Sequence, residues 1–599
     1  MKSLHALRLV CAFWIAAAWP AAALTLYWDA DGDASNNHVN GTGLGGAGAW
    51  GGVGLWWDGA SATNQDWVSG SKAVFTGAPG IVTVGSTTAA LEFGASGYEI
   101  QASGRLTLTH ASGEAATMHG KPIEFDNATD VSWPGSVTGG NGTGFEKKGA
   151  GKLDIALVSV VGTYAPVTLF ADAGKVTYTS DASGGVNHTY FTMEANTRLD
   201  VGKRIVQFRL FSMHPSAIME SSQGGGIACS SQYDDKTVAG TLQGNLVVQC
   251  NSTVSSGRTF SISGDNTHSG GFQAVAGSAW ISSGPTYVDS DTGLGSGPVV
   301  FFSTDTRASV DLRFRSASPS IGSLESTYRS TKNRTIYLGR NIAPINNTEL
   351  SIGALDTDTV YNDFITDYAA DGATGSVRKV GSGYLVLTEA MTYAGRTTVE
   401  AGTLQTVKKD AFAAGTLKYS CVSGSPTITI TTGSTSLLAL GQLVNGGTGV
   451  PVGSVVRAIS GDAVTLDRNA TANASNQNLS AHLASASIGS DILVNGGTFN
   501  GSGTVVYDFG AGGKPLVLAS GTLDISRMPI SFTGSPTAKA YILVDYSAGG
   551  TFIGATNDDT ADSFASATNA PEGYKWNHDA TAKLVVLEKI PLPTVIVIR

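Results

Sequence analysis

The chain has 599 residues, 77 of them glycine, and only 14% are charged, whereas a globular protein has about 25%. Few Glu, Lys, Arg and Leu argue against a mainly helical fold, and the 42% hydrophobic content argues against a disordered chain. The net charge of −10 argues against nucleic acid and anionic membranes as partners.

Residues 1–23 have the three parts of a secretory signal peptide. Lys2 and Arg8 form a basic start, residues 9–18 are apolar but too few to span a bilayer, and residues 21–23 fit a cleavage site. Without this segment the net charge is −12, from 35 bases and 47 acids. We therefore expect an exported chain that begins near Leu24 and has no transmembrane helix after cleavage.

Residues 24–95 are rich in Trp and Gly and are predicted to form an N-terminal cap. Trp50, Trp56 and Trp57 leave two interpretations open. Their rings could form a platform that stacks on sugars, or a hydrophobic plug that covers the first coil of a repeat.

Three acids, Asp29, Asp31 and Asp33, alternate in a turn that resembles the start of a calcium-binding loop. Such a loop has Gly at its sixth position and Glu at its twelfth, where this chain has Ala34 and Asn40. A structural turn is the simpler interpretation and calcium is the alternative. No other cofactor is expected.

Region 96–418 repeats one pattern of glycine corners and short alternating strands. Because Gly accepts positive φ, each Gly-x-Gly predicts a tight turn, and three short strands with such corners make one coil. We predict an all-β, elongated β-solenoid of the right-handed parallel β-helix type. The predicted corner glycines are Gly149, Gly151, Gly381, Gly383, Gly395 and Gly402.

Three cysteines follow the predicted signal peptide. The separation of Cys229 and Cys250 is close to one coil, so they could lie on adjacent coils, either as a disulfide or as stacked reduced side chains. Cys421 has no predicted partner and is expected to be buried.

The C-terminal third has three predicted parts. Residues 419–483 indicate a small inserted β module, because short strands meet at a hairpin turn near Gly461. Residues 484–588 return to the solenoid pattern and end in a cap, and 589–599 form a tail. The five apolar-leaning residues at 594–598 are too few to span a bilayer, which leaves the anchoring mode open.

One of the repeated stretches carries a family resemblance. Residues 379–404 read Lys-x-Gly-x-Gly-x-Leu, then Thr-Tyr-x-Gly, then Ala-Gly-Thr-Leu, and 147–176 and 266–279 follow more loosely. This pattern resembles the autotransporter-associated β-strand repeat. The resemblance implies export by a Gram-negative bacterium and a passenger-like stalk or adhesin with a Trp-rich opening.

No motif in the sequence predicts catalysis. The histidines are scattered without metal-binding spacing, and no nucleophile elbow occurs. Paired acids such as Asp289 with Asp291, and Asp356 with Asp358, lie in polar turns. We predict a non-enzymatic, adhesin-like surface or secreted protein whose partners are extracellular polysaccharide or cell-envelope components. A carbohydrate-active β-helix enzyme and a carbohydrate-binding protein are the alternatives.

Overall fold

The computed structural model describes residues 24–591 with internal gaps. The positions left out are 86, 96–97, 103–105, 109–122, 128–129, 140–144, 161–165, 181–184, 230–234, 252–258, 277–284, 304–309, 327–333, 340–346, 369–372, 452–453, 527, 529 and 555–569. The predicted signal peptide and the last eight residues therefore lie outside the described residues.

Strands make up nearly all of the regular structure. The only helices in the described residues are two short 3-10 turns, Ala34–Asn36 and Thr435–Leu437. The cap strands β1–β5 are Thr25–Trp28, Gly48–Ala49, Trp56–Asp58, Thr63–Gln65 and Lys72–Phe75.

The main solenoid contains strands β6–β39. In chain order they are Ile81–Val84, Thr87–Phe93, Glu99–Ala102, Leu106–Leu108, Ile123–Asn127, Val131–Gly139, Phe145–Lys148, Leu153–Val160, Pro166–Leu169, Lys175–Tyr178, Gly185–Met193, Arg198–Asp200, Ile205–Met213, Ile218–Ser221, Gly226–Cys229, Lys236–Val238, Thr241–Gly244, Val247–Asn251, Phe260–Ile262, Phe272–Ala276, Thr286–Val288, Pro298–Ser303, Val310–Phe314, Ser320–Ile321, Ser323–Ser326, Arg334–Leu338, Thr348–Ile352, Thr359–Tyr361, Phe364–Asp367, Gly375–Lys379, Tyr384–Leu387, Thr397–Val399, Thr403–Thr406 and Lys408–Lys409.

Two further groups of strands complete the chain. Strands β40–β45 are Phe412–Cys421, Thr427–Thr432, Leu443–Gly446, Ser454–Ser460, Ala463–Leu466 and Ala474–Ala481. Strands β46–β55 are Ala484–Ser485, Ser487–Gly489, Ile492–Gly501, Thr504–Asp508, Leu516–Asp524, Ile530–Thr533, Ala540–Asp545, Thr551–Ile553, Tyr574–Asp579 and Leu584–Lys589.

The solenoid consists of about 14 stacked parallel coils, which confirms the predicted all-β solenoid. Strand β23 pairs in parallel with β25, which pairs with β27, so Val248, Phe272 and Val299 stack in register with no exposed surface. On the outer face, Gln249 donates to Gln273 on the next coil at 3.0 Å. Alternating residues therefore build a continuous apolar interior and a polar exterior.

The two ends of the solenoid interrupt parallel pairing. At the start, β1 pairs antiparallel with β3, which pairs antiparallel with β4. At the other end, β55 pairs antiparallel with both β52 and β54. Antiparallel hairpins at both ends restrict end-to-end growth of the sheets by other chains.

The inserted module is a closed antiparallel barrel of β40–β45 with its own core. Its strands run from Phe412 to Ala481, whereas the sequence predicted a module at 419–483. Solenoid pairing continues across the insertion, because β37 and β38 both pair in parallel with β48. The barrel also contacts the solenoid, where Arg457 donates to Glu325 at 3.1 Å.

None of the helices in the described part of the chain has the length and apolarity that a membrane crossing requires.

Candidate functional site

The lysine of the repeated motif is a buried clamp between coils. Lys379, which ends β35, is 1% exposed. Its Nζ donates to the carbonyl oxygens of Val380 at 2.6 Å, Gly381 at 2.9 Å and Ala401 at 3.3 Å. The first two carbonyls belong to the corner that follows Lys379, and the third belongs to the next coil. One ammonium group, with three donors, therefore joins two coils.

Burial lowers the pKa of Lys379 to about 8. The three carbonyls use the three donors of the charged form, so the hydrogen bonds offset the loss of hydration.

The first motif copy repeats this clamp. Lys147 is fully buried, and its Nζ donates to the carbonyls of Lys148 at 2.7 Å, Gly149 at 2.8 Å and Ala173 at 2.8 Å. Ala173 is the counterpart of Ala401 in the motif, so both copies form the same bonds.

The loosest copy, 266–279, begins after the lysine segment of the motif, and Asn266 in it forms a different bond between coils. Asn266 is 2% exposed, its Oδ1 accepts from the backbone N–H of Leu242 at 2.7 Å, and its Nδ2 donates to the carbonyl of Gly293 at 2.7 Å. The Asn266 side chain thus connects the coil before it with the coil after it.

The corner glycines are required because coils stack closely. Gly381 has φ of +70° and Gly402 has φ of +60°, and a Cβ at either would lie within 2.3 Å of a carbonyl oxygen on the adjacent coil. The other predicted corner glycines also lie in turns or tight contacts: Gly149 has positive φ, Gly151 is buried, and a Cβ at Gly383 or Gly395 would lie 2.3 Å from a carbonyl oxygen.

One family model matches the stretch of chain that contains this lysine and its corner glycines. Residues 377–406 match the family model described as passenger-associated-transport-repeat, and the match contains Lys379, Gly381, Ala401 and Gly402. The chain is a passenger-like repeat protein. No curated protein matches it.

In this passenger-like solenoid, the paired acids of the sequence connect coils. Asp291 and Asp356 accept from the backbone N–H of Ser318 at 2.8 Å and of Ser382 at 2.6 Å, each on the following coil. The hydrogen bond from Ser382 lowers the pKa of Asp356. Two more acids bond across coils, Asp358 to the N–H of Tyr384 and Asp289 to the Arg315 guanidinium.

A groove of about 300 Å³ lies beside the C-terminal coils and includes Tyr393, Asp491, Asp508 and Lys514. Although burial opposes it, hydrogen bonds from Lys514 and Arg396 lower the pKa of Asp491. Asp508 accepts from the N–H of Gly510 at 2.8 Å. Both carboxylates in this groove therefore already bond to protein groups.

The tryptophans of the cap pack on one another. Trp50 and Trp56 are at most 1% exposed with ring centroids 4.7 Å apart, and Trp57 is 4% exposed. Trp56 Nε1 donates to the carbonyl of Trp50 at 2.8 Å. These contacts are those expected of a hydrophobic plug. Sugar stacking on these three rings stays a prediction, and it would require the cap to open.

The three aspartates in the acidic turn of the cap differ in their exposure to solvent. Asp29 is fully buried, whereas Asp31 and Asp33 are exposed. Asp33 accepts from the N–H of Ser35 at 3.0 Å and caps the first 3-10 helix. In the described ranges no group of three or more His, Cys, Asp or Glu side chains is arranged to hold a metal ion. Calcium at the three aspartates stays a prediction.

Cys229 and Cys250 are register partners on the adjacent parallel strands β20 and β23. Neighbouring strands are about 4.8 Å apart, which is inside the range of roughly 4.4–6.8 Å between the Cα atoms of a disulfide. We predict that the two cysteines are linked when the chain folds in an oxidising compartment, as peptide mapping without reductant would show. Alkylation of both thiols in the unreduced, unfolded chain would support the reduced interpretation. Cys421 is buried in the barrel, as expected.

We expect the buried His268 to make the folded protein less stable in acid. Its ring is fully buried, neither ring nitrogen has a hydrogen-bond partner, and burial lowers its pKa to about 4. The unfolded chain binds this proton near pH 6.5, so the folded state loses stability as the pH falls from about 6.5 to about 4. The full loss is about 3 kcal/mol. Urea unfolding at both pH values should show a smaller acid effect for His268→Leu than for wild type, and equal acid effects would contradict the assignment.

Proposed function

We propose that this chain acts outside the cell as a structural or adhesin-like rod without enzymatic activity. The observation that carries the proposal is the unbroken parallel stacking, which continues from β37 and β38 to β48 past the inserted barrel. About 14 coils at about 4.8 Å each give a rod about 70 Å long. Such a rod holds the barrel and the cap at fixed positions.

Internal bonding supports a mechanical role. Lys147 and Lys379 join coils from within, and side chains such as Gln249 and Asp356 bond across coils on the outside. Asp289, Asp291 and Asp358 also bond to the following coil, which favours a scaffold over a hydrolase. The predicted signal peptide and the passenger-like repeat support export.

Attachment of cells under flow tests the proposal. Cells that produce the chain should adhere to a polysaccharide-coated or cell-coated surface more than cells that lack it. Arg334→Met, which removes a buried ion pair, should abolish the gain, whereas Arg378→Met at an exposed pair should keep it. Equal attachment of producing and non-producing cells, or shortening of polysaccharide by the purified chain, would overturn the proposal.

Polysaccharide binding is a second candidate, favoured by an aromatic ladder on the outer face. Tyr287, Arg313 and Tyr337 are register partners on β26, β28 and β31. The Arg313 guanidinium lies 5.7 Å from the Tyr287 ring centroid, 5.1 Å from Tyr337 and 4.6 Å from Tyr368. Aromatic rings offer flat apolar surface and a guanidinium offers several N–H donors, which are the two kinds of contact that a sugar chain needs. Tyr337→Ala should lower binding on a glycan array, and unchanged binding would exclude this face.

A further inference from the structure

A set of oxygen acceptors without donors lies in the acidic turn of the cap. Asp29 Oδ1, Asn37 Oδ1 and Asn64 Oδ1 are all buried and have no hydrogen-bond partner. Asn37 is 6% exposed, so this is a buried amide oxygen and not a surface group. Buried acceptors without partners are rare and costly in folded proteins.

The orientation of both amides is determined by Asp29. Asn37 Nδ2 donates to Asp29 Oδ2 at 2.8 Å, and Asn64 Nδ2 donates to the same oxygen at 2.6 Å. Turning either amide around would place its oxygen against the carboxylate. Each amide therefore has its nitrogen on the Asp29 carboxylate, and neither amide oxygen has a donor of its own.

The charge of this cluster is also uncompensated. The second carboxylate, Asp31, lies two residues after Asp29 and accepts from the backbone N–H of Asp33 at 2.8 Å and from Asn36 Nδ2 at 3.2 Å. Among the described residues, no Lys, Arg or His forms a salt bridge with either carboxylate. A buried carboxylate is stabilised by a positive partner.

We propose that Asp29, Asp31, Asn37 and Asn64 bind one divalent cation, and that this cation is calcium. A cation satisfies several acceptor oxygens at once, whereas a single proton satisfies one. Carboxylate and amide oxygens without sulfur or imidazole select a hard cation, and Ca²⁺ accepts irregular sets of neutral and charged oxygens. Asn64 lies 35 residues after Asp29, on β4, so the ion would join the turn after β1 to the hairpin of β3 and β4.

Terbium luminescence and calorimetry on the full chain test the site. Terbium replaces calcium and is sensitised by a nearby indole, here Trp28, which precedes Asp29. After treatment with chelator, wild type should bind one calcium ion with a Kd on the order of 10⁻⁴–10⁻³ M, typical of extracellular modules. Calcium should displace terbium and quench its luminescence.

Three substitutions with the same change in charge distinguish the site from general acidity. Asp31→Asn should weaken binding at least about tenfold, because it removes one of the two carboxylates. Asp33→Asn should bind as wild type does, because Asp33 caps the helix and Asn is an equally good cap. Asp29→Asn should abolish binding and make the calcium-free chain more resistant to urea, because a buried charge is lost.

Three outcomes would overturn the proposal. One is no binding by wild type at up to about 10 mM calcium, roughly ten times the upper Kd expected. Another is an equal loss of affinity in Asp31→Asn and Asp33→Asn, which indicates diffuse attraction. The third is unchanged binding in both Asp29→Asn and Asp31→Asn, which places the ion elsewhere. Circular dichroism of each variant checks that the strands are retained.

Discussion

Arg334→Met is expected to destabilise the solenoid by about 3–5 kcal/mol, the largest effect of any single substitution considered. Arg334 is fully buried, and its Nε donates to Asp363 Oδ1 at 2.9 Å while Nη1 donates to the carbonyl of Phe301 at 3.3 Å. Asp363 is 3% exposed and also accepts from Ser326. Removing the guanidinium leaves a buried carboxylate without its cation. Urea unfolding, followed by hydrogen exchange of β31 and β34, measures the loss.

A double substitution checks the cause. Arg334→Met with Asp363→Leu removes both charges, so it should recover a large part of the stability that Arg334→Met loses. Arg378→Met is the matched control, because Arg378 is 40% exposed in its pair with Glu400 and exposed pairs contribute about 0–1 kcal/mol. A double variant as unstable as the single one would show that packing and not charge is responsible.

Lys379→Met is expected to destabilise the coils on either side of the clamp by about 2–4 kcal/mol. The carbonyls of Val380, Gly381 and Ala401 would lose their donor, and an unsatisfied buried acceptor costs about 1–3 kcal/mol. Methionine fills a similar volume, so the lost hydrogen bonds and not a cavity dominate. Hydrogen exchange should show faster opening of β35, β37 and β38 than in wild type.

The control for this clamp is Lys408→Met, because Lys408 is exposed. The hydrogen-exchange rates of β35 to β38 in Lys408→Met should match those of wild type. If Lys379→Met also left these rates unchanged, the ammonium would contribute nothing to the stacking, and another explanation would be needed for the lysine of the motif.

The sequence predicted the repeat better than it predicted its chemistry. Alternating residues and glycine corners indicated stacked short strands, because these features act locally. The inward position of Lys379 could have been read from its alternation with the buried Val377, yet a charged residue in that pattern is ordinarily assigned to the surface. The partners of its Nζ lie partly on another coil, so no local spacing indicated them.

Other features depend on contacts between distant segments. The bonds of Asp291 and Asp356 cross to the next coil, whereas their sequence neighbours indicated only polar turns. The first strand of the barrel begins at Phe412 because pairing with β45 closes the barrel, and the composition changes only further along the chain. Tryptophan composition alone could not distinguish a platform from a plug, because the burial of the rings depends on the pairing of β3 with the distant strand β1.

Surface labelling of intact cells tests the central claim most directly, namely that this passenger-like solenoid is exported. An epitope placed in the tight turn at Gly461 and Asp462, between the barrel strands β43 and β44, leaves the solenoid pairing unchanged. Antibody should bind the epitope on intact cells or in the culture medium. Binding only after the cells are permeabilised, with the folded chain retained inside, would contradict it.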